Sequence, residues 1–112
     1  MKIVGVTSCP SGVAHTYLAA EALVLSGEKY GVDVIVETQG GAGIENRLKL
    51  KDIYEASCVI LSNDIMIQEK ERFKGKKVLY VSVSDIIKKS DQIIYKIIKT
   101  LKEGVSKFPR GL

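Results

Sequence analysis

Short apolar runs divide the chain into regular segments. Four runs rich in Val and Ile cover residues 2–7, 32–38, 58–62 and 78–82. Apolar residues occupy most positions of each run instead of alternating with polar ones, which is typical of strands that helices cover on both faces. The pattern therefore predicts four parallel strands.

Helical periodicity fills the segments between these runs. Apolar residues recur at helical spacing over residues 13–30, and Gly31 provides a C-terminal stop. Two shorter helices are predicted at residues 50–57 and 65–73. The chain thus alternates between strands and helices over most of its length.

The last helix has the clearest pattern. An isoleucine-rich stripe recurs at helical spacing over residues 86–101, and Ser84 or Asp85 is expected to cap its start. The lysines of this segment, Lys88 and Lys89 among them, fall on the other side of the helix. The stripe therefore predicts a helix that packs its isoleucines on the sheet.

These alternating segments predict a single α/β domain. Since β-α-β crossovers are right-handed and consecutive strands tend to be neighbours, we expect an open four-stranded parallel sheet, doubly wound (Rossmann-like), with helices on both faces. One such domain fits residues 1–103, and the aperiodic residues 104–112 are interpreted as a tail or linker remnant. Ligands bind beyond the carboxyl ends of the strands in such sheets, so residues 8–12, 39–46 and 63–64 are the candidate functional loops.

Composition narrows the classes of function. Apolar residues make up 46% of the chain and charged residues 27%, and no apolar run approaches the roughly 20 residues of a membrane span. We therefore expect a cytoplasmic protein that does not itself cross a membrane. The two cysteines lie far apart and there is one histidine, which argues against a disulfide framework and a zinc site. No metal and no organic cofactor is expected.

The net charge of +4 comes from the second half of the chain. Basic residues cluster between positions 70 and 77, in a segment that is either a solvated surface or a docking face for an acidic partner or lipid headgroups. No aromatic residues alternate with the bases as they do in a platform for single-stranded nucleic acid, so nucleic acid is not an expected partner.

The candidate chemistry lies in the loop between the first predicted strand and the first predicted helix. Backbone N–H groups and the positive end of the helix dipole converge there, an arrangement that binds anions. Gly12 permits close approach of a ligand, and the hydroxyls of Ser11 and Thr16 add donors. Cys9 begins this loop, where the thiolate form is favoured, so we expect it to be a nucleophile that carries a phosphoryl-like group.

His15 follows Cys9 by six positions, where phosphatases of the Cys-x5-Arg type have an arginine that clamps phosphate. A histidine cannot form this clamp, and its charge depends on pH. The loop therefore suits a phosphoryl carrier better than a hydrolase. A cysteine-dependent phosphatase or arsenate-reductase-like enzyme stays open as an alternative, as does a noncatalytic anion-binding module, and His15 could simply donate a hydrogen bond in the first helical turn.

Several motifs in combination resemble one family. They are Cys-Pro-Ser-Gly-Val-Ala-His-Thr at residues 9–16, Ala-Ala-Glu-Ala-Leu at 19–23, Glu-Thr-Gln-Gly-Gly at 37–41 with Gly43 and Asn46, Asp-Ile at 52–53, Asp64, and Arg-Phe at 72–73 with Gly-Lys at 75–76. Over roughly residues 2–100, the chain resembles the fructose-type IIB domain of the bacterial phosphoenolpyruvate-dependent sugar phosphotransferase system (PTS).

The resemblance implies a phosphotransferase that works as a relay. A phosphohistidine on a IIA protein or domain would donate its phosphoryl group to Cys9, and the phosphocysteine would donate it to fructose or a fructose-like sugar bound by the membrane IIC domain. The residues that correspond to the family's phosphate-binding loop are Pro10, Ser11, Gly12, Val13, Ala14, His15 and Thr16. The family more often has Thr and Ile at the positions of Ser11 and Val13, and Ala-Asp where this chain has Ala56 and Ser57, so the sugar subtype is left undefined.

Overall fold

A computed structural model describes residues 1–10, 13–41 and 43–103 of the chain. Its strands are β1 (Lys2–Thr7), β2 (Asp33–Gly40), β3 (Gly43–Glu45), β4 (Cys58–Ser62) and β5 (Val78–Val81). Its α-helices are α1 (Val13–Lys29), α2 (Leu50–Glu55) and α3 (Val83–Lys102), and a single 3-10 turn covers Lys70–Phe73. The predicted tail, residues 104–112, lies outside the described residues.

The strands form one sheet in the order β3-β2-β1-β4-β5. β1 lies in the centre and pairs in parallel with β2 and β4, and β5 pairs in parallel with β4. The four predicted strands and their parallel pairing are therefore confirmed. This topology brings the carboxyl ends of β1, β2 and β4 to one edge of the sheet, where the three candidate loops begin.

A fifth strand corrects the predicted strand count. β3 runs antiparallel to β2, with Gly40 opposite Gly43, inside the segment 39–46 that the sequence pattern assigns to a loop. Gly43 has a φ of 93°, which residues with a side chain rarely adopt, so glycine permits this reversal of the chain. A strand of three residues is too short to produce a recognisable hydrophobic period, and for this reason the pattern does not reveal it.

The predicted helix at residues 65–73 is wrong over most of its length. Only Lys70–Phe73 is helical there, and it forms a 3-10 turn. Glu69, immediately before this turn, has a left-handed φ of 58°, which a right-handed helix excludes. The residues before the turn therefore form a loop at the edge of the sheet that carries the candidate loops.

α3 carries the predicted isoleucine stripe into the core, where Ile86, Ile93, Ile94 and Ile97 are buried. It begins earlier than expected. Its N-cap is Ser82, whose Oγ accepts a hydrogen bond from the backbone N–H of Asp85, so the prediction of Ser84 or Asp85 as the cap is wrong. The helix is also interrupted at Lys89, which has the non-helical angles φ −129° and ψ 25°.

Two core layers cover the two faces of the sheet. On one face, α1 and α3 pack against strand residues that include Ile3 and Ile60. On the other face, Ile53 of α2 and Phe73 of the 3-10 turn pack against Val4 of β1. The prediction of a doubly wound sheet with helices on both faces is therefore confirmed.

α1 approaches the sheet closely at Gly27. A Cβ atom built on Gly27 would lie 2.4 Å from Cγ2 of Val34 and 2.8 Å from the carbonyl oxygen of Val32. Both distances are well below van der Waals contact, so the absence of a side chain at Gly27 lets α1 pack at this distance from the start of β2.

We expect Gly27→Ala to destabilise the fold by about 1–3 kcal/mol, because the added methyl group overpacks this contact. Helix propensity alone acts in the opposite direction, since it favours alanine over glycine by about 1 kcal/mol in a helix interior. Urea unfolding measures the difference, with Glu28→Ala at the exposed neighbouring position as the control. A Gly27→Ala protein at least as stable as the wild type would contradict the close packing.

Candidate active site

Ser8, the residue before Cys9, is buried and bonded to both strands that flank β1. Its backbone N–H donates to Ser62 Oγ at 2.8 Å, and Ser62 Oγ donates to the carbonyl oxygen of Ser8 at 3.1 Å. The Ser8 hydroxyl donates to the carbonyl oxygen of Gln39 at 2.7 Å. The ends of β1, β2 and β4 are thus joined directly beneath Cys9, which fixes the backbone that carries its thiol.

Cys9 itself is partly exposed and opens into a cleft of about 310 Å³. The lining residues are Cys9, His15, Asp64, Val83, Ser84, Ile87 and Lys88. Cys9 and His15 therefore face the same cleft. The structure adds a wall from α3 that the sequence pattern did not indicate, because the loop motif holds no signal for a helix that follows it by about 70 residues.

The first turns of α1 stand next to this cleft. Thr7 Oγ1 donates to the carbonyl oxygen of Thr16 at 3.0 Å, which ties the helix to the end of β1. Thr16 is buried, and its own Oγ1 has no hydrogen-bond partner among the described residues. Thr16 is not among the described residues that line the cleft, so its role as a hydroxyl donor to an anion stays a prediction.

The remaining residues of the predicted phosphate-binding loop differ in how far the structure describes them. Pro10, Ala14 and His15 are exposed. Ser11 and Gly12 lie outside the described residues, and α1 begins at Val13. Their part in anion binding stays a prediction.

Asp64 follows β4 at the same edge of the sheet. Its Oδ1 accepts a hydrogen bond from the backbone N–H of Val83 at 2.8 Å. A carboxylate at a helix N-terminus satisfies a free N–H group and interacts favourably with the helix dipole. Asp64 therefore anchors the start of α3 beside Cys9, and it holds the α3 wall of the cleft in place.

A second polar network lies on the β2 side of this edge, around the fully buried Glu37. Arg72 donates to both carboxylate oxygens of Glu37, at 2.9 and 3.0 Å. Gln39 Nε2 and the backbone N–H of Leu48 also donate to this carboxylate, each at 2.9 Å. Burial by itself raises the pKa of the Glu37 carboxyl, but these hydrogen bonds outweigh it and hold the pKa below its usual value.

The same network fixes the loop before the 3-10 turn. The backbone N–H of Gln68 donates to Gln39 Oε1 at 2.8 Å, and Gln39 Nε2 donates to the carbonyl oxygen of Gln68 at 3.1 Å. Gln39 is therefore bonded through its carbonyl oxygen to Ser8, which precedes Cys9, and through its side chain to the loop before the 3-10 turn. The sequence singled out the segment 37–41 by its motif, but only the structure assigns this bridging role to its side chains.

The basic cluster at residues 70–77 is not one free surface patch. Arg72 is engaged with Glu37, and Lys76 Nζ donates to the carbonyl oxygens of Tyr54 and Ala56 at 2.8 and 2.9 Å. Because Arg72 and Lys76 are engaged in contacts within the domain, we exclude them from the candidate docking face.

Cys58, the second cysteine, is unsuited to covalent chemistry. It is fully buried in β4, and burial raises the pKa of its thiol to about 12. The prediction of a buried, small hydrophobic residue is confirmed.

Comparison with known proteins identifies the family of the chain. Residues 4–96 match the family model described as "PTS system, Lactose/Cellobiose specific IIB subunit". The chain is 52% identical over 96 residues to the PTS system fructose-like EIIB component 2 of Escherichia coli K12, a match that covers 86% of this chain and 91% of that protein. It is also 43% identical over 95 residues to the PTS system fructose-specific EIIABC component of Bacillus subtilis, which covers 85% of this chain and 15% of that longer protein.

Solved structures with similar sequences have the same fold. The Enzyme IIB subunit of the PTS system from Escherichia coli K12 superposes with a TM-score of 0.87 at 37% identity, covering 92% of this chain and 95% of that one. A domain of the fructose-specific IIABC component from Borrelia burgdorferi gives a TM-score of 0.81 at 47% identity, covering 88% and 93%. The chain belongs to the IIB family of the sugar phosphotransferase system, whose members are phosphotransferase components.

Within that family the chain is of the fructose-like type. The lactose-specific IIB domain from Streptococcus pneumoniae shares only the fold with it, at 14% identity and a TM-score of 0.50 over 88% of this chain and 95% of that one. The description of the family model names lactose and cellobiose, whereas the Escherichia coli and Bacillus subtilis relatives named above carry fructose names. Among the described residues, no helix combines the length and apolar character that a membrane span requires.

We expect Arg72→Met to destabilise the protein by about 3–5 kcal/mol at pH 7, because the variant leaves the Glu37 carboxylate buried without its cation. The penalty should shrink as the pH falls. In the wild type the pKa of Glu37 lies below its usual 4.5, so the stabilisation by this group is present above pH 4.5 and is lost on further acidification. In the variant, burial raises the pKa of Glu37, so protonation on acidification restores stability. Urea unfolding between pH 7 and pH 4 measures both proteins.

The control places Arg72→Met in a Glu37→Gln background. An uncharged side chain at position 37 removes the titrating group, so the cost of Arg72→Met should then be nearly independent of pH. If Arg72→Met lowers the free energy of unfolding of the protein with Glu37 by the same amount at pH 7 and at pH 4, the pair does not act electrostatically.

Proposed function

We propose that this chain is a phosphoryl carrier in which Cys9 accepts a phosphoryl group from a phosphohistidine of a IIA protein or domain. The phosphocysteine then donates the group to fructose or a fructose-like sugar bound by a membrane IIC domain. The observation that carries the proposal is the position of Cys9. Its partly exposed thiol follows the central strand directly and lies in a cleft beside the first turn of α1, which contributes His15 to the cleft lining.

The chemistry of the first transfer follows from this position. The sulfur of Cys9 attacks the phosphorus atom, the S–P bond forms and the N–P bond breaks. The electron pair of the broken bond stays on the imidazole nitrogen of the donor, and the proton that the thiol loses is balanced by the proton that the imidazole gains. The second transfer breaks the S–P bond and forms an O–P bond to the sugar hydroxyl, whose proton is balanced by the one that the sulfur regains.

The phosphoryl group on Cys9 needs stabilisation of its negative charge. In this proposal Pro10, Ser11, Gly12, Val13, Ala14, His15 and Thr16 form the phosphate-binding loop, as their match to the family motif suggests. The backbone N–H groups at the start of α1 and the dipole of this helix act in the same direction. The Thr16 hydroxyl supplies a further donor, because its hydrogen-bonding capacity is not used by the described residues.

The names of relatives support the two partners. The Bacillus subtilis relative is an EIIABC component, and an Escherichia coli K12 relative is an EIIBC component, so the IIB unit occurs in one chain with IIA and IIC units. We propose that residues 1–103 are the corresponding carrier domain, that residues 104–112 are a tail or linker remnant, and that the chain works in the cytoplasm at the inner face of the membrane.

We expect Cys9→Ser to reduce phosphorylation by a phosphorylated IIA protein to background, because a serine hydroxyl is far less ionised than a thiol near neutral pH. The measurement is the radiolabel retained on the protein after incubation with phosphoenolpyruvate and the general PTS proteins. The matched control is Cys58→Ser, which should keep most of the label because Cys58 is buried and its thiol pKa is about 12. Label retained by Cys9→Ser would rule out Cys9 as the acceptor.

A carrier and a phosphatase differ in the lifetime of the phosphocysteine. Position 15 holds a histidine rather than the arginine of cysteine phosphatases, and no arginine occurs among the residues that line the cleft in the described part of the chain. We therefore expect the phosphoprotein to persist in buffer and to lose its label when sugar and the membrane IIC partner are added. Rapid hydrolysis of p-nitrophenyl phosphate that depends on Cys9 and needs no IIA protein would favour the phosphatase instead.

A further inference from the structure

We propose that Lys88 of α3 is a binding residue of this site, and that its ammonium group contacts the phosphoryl group carried by Cys9. The inference rests on the proposed function and deepens it, because it assigns the cation that balances the phosphoryl charge to a helix distant in sequence from the phosphate-binding loop.

The position of Lys88 follows from the face of α3 that borders the cleft. Ser84, Ile87 and Lys88 are spaced as i, i+3 and i+4, so they lie on one face of the helix, and all three line the cleft that contains Cys9. Ile87 is partly buried and packs against the same core cluster as Cys9. The packing of Ile87 on this cluster and the hydrogen bond from the N–H of Val83 to Asp64 together hold this face of α3 against the cleft.

The ionisable and charged side chains of the cleft, among its described lining, are Cys9, His15, Asp64 and Lys88. Asp64 is engaged by the N-terminus of α3. Lys88 has no ion pair or hydrogen bond from its side chain to any described residue, whereas Lys29 is paired with Asp91 at 2.8 Å. The Lys88 ammonium is therefore available to an anion in the cleft.

A phosphoryl group requires such a cation. The dipole of a helix supplies the equivalent of only about half a positive charge at its N-terminus, but a phosphoryl group on sulfur brings up to two negative charges. Charge-assisted hydrogen bonds are roughly twice as strong as those between neutral groups. In a cleft without an arginine among its described lining residues, Lys88 is the permanent cation that can supply them.

The neighbouring lysine provides a matched control. The helix is interrupted at Lys89, and this residue lines a different groove on α3 together with Gln92, Ile93, Tyr95, Lys96 and Lys99. Lys88 and Lys89 are adjacent, have the same charge and are both exposed, but only Lys88 lines the cleft of Cys9. A neutral substitution at either position changes the net charge equally.

The experiment compares Lys88→Gln, Lys88→Arg and Lys89→Gln in the full chain. We expect Lys88→Gln to slow phosphoryl transfer from a phosphorylated IIA protein by about 10- to 100-fold, the range of a lost charge-assisted hydrogen bond. Lys88→Arg should restore most of the rate, and Lys89→Gln should stay close to the wild type. All three should have nearly the same free energy of unfolding, because these side chains are exposed.

A second readout separates contact with the phosphoryl group from docking of the donor. The phosphorus resonance of the phosphocysteine is followed by NMR while the pH is varied. Removal of a nearby cation should raise the pKa for the second ionisation of the phosphoryl group in Lys88→Gln and leave it unchanged in Lys89→Gln. The charges of His15 and Asp64 are common to all variants.

The outcomes are distinct. If Lys88→Gln and Lys89→Gln behave alike in rate and in phosphorus titration, the role of Lys88 is overturned, whereas the proposed function stands. If Lys88→Gln slows the transfer but leaves the titration unchanged, Lys88 acts on the donor protein and the proposed contact is also overturned. If the wild type is not phosphorylated on Cys9 at all, the proposed function fails, and with it the contact.

Discussion

The hydrogen bonds of Ser8 hold together the strand ends on which the candidate site is built. Ser8 is buried, and its N–H, carbonyl and hydroxyl groups all find partners on β4 or at the end of β2. A buried polar group without a partner would be costly, so these bonds favour one arrangement of the three strand ends. The next residue is Cys9. Its backbone is therefore fixed by the sheet, although its thiol remains accessible, which is the combination that a nucleophile requires.

The buried pair of Glu37 and Arg72 acts on the same edge of the sheet in a different way. Removing two charges from water costs several kcal/mol per ion, and their attraction in the interior roughly offsets this cost, so the pair is weak evidence for stability. It does specify geometry. The carboxylate joins the end of β2 to Leu48, and Arg72 joins it to the 3-10 turn. We infer that the pair sets the shape of this edge more than the stability of the fold.

The electrostatics of the cleft suit a group that is carried and released. An arginine offers a planar fork that binds two phosphate oxygens at once, whereas a lysine is a compact point charge on a flexible stem. In the proposed site the charge of the phosphoryl group is balanced by the α1 dipole, by hydroxyl donors and by Lys88. None of these imposes the rigid bidentate geometry of an arginine, so the group can be passed to an acceptor without breaking such a clamp.

The local sequence pattern determines most of the architecture of this protein. The four apolar runs correspond to β1, β2, β4 and β5, the isoleucine stripe of α3 is buried, and Cys9 follows the end of the central strand. These features depend on short-range periodicity and on the rules of parallel sheets. The family was recognisable for the same reason, since its motifs are local.

Contacts between distant segments were decided only by the tertiary structure. The antiparallel strand β3 is too short to give a period, and the left-handed φ of Glu69 excludes the continuous helix that the sequence predicts over residues 65–73. The sequence places Arg72 in a basic cluster, but its side chain is paired with Glu37. Periodicity places Lys88 on the side of α3 opposite the core stripe, and the structure shows that this residue lines the cleft of Cys9. Periodicity assigns a residue to a face of its own helix or strand. It does not state which other element packs beside that face, because this depends on the interactions of the whole chain.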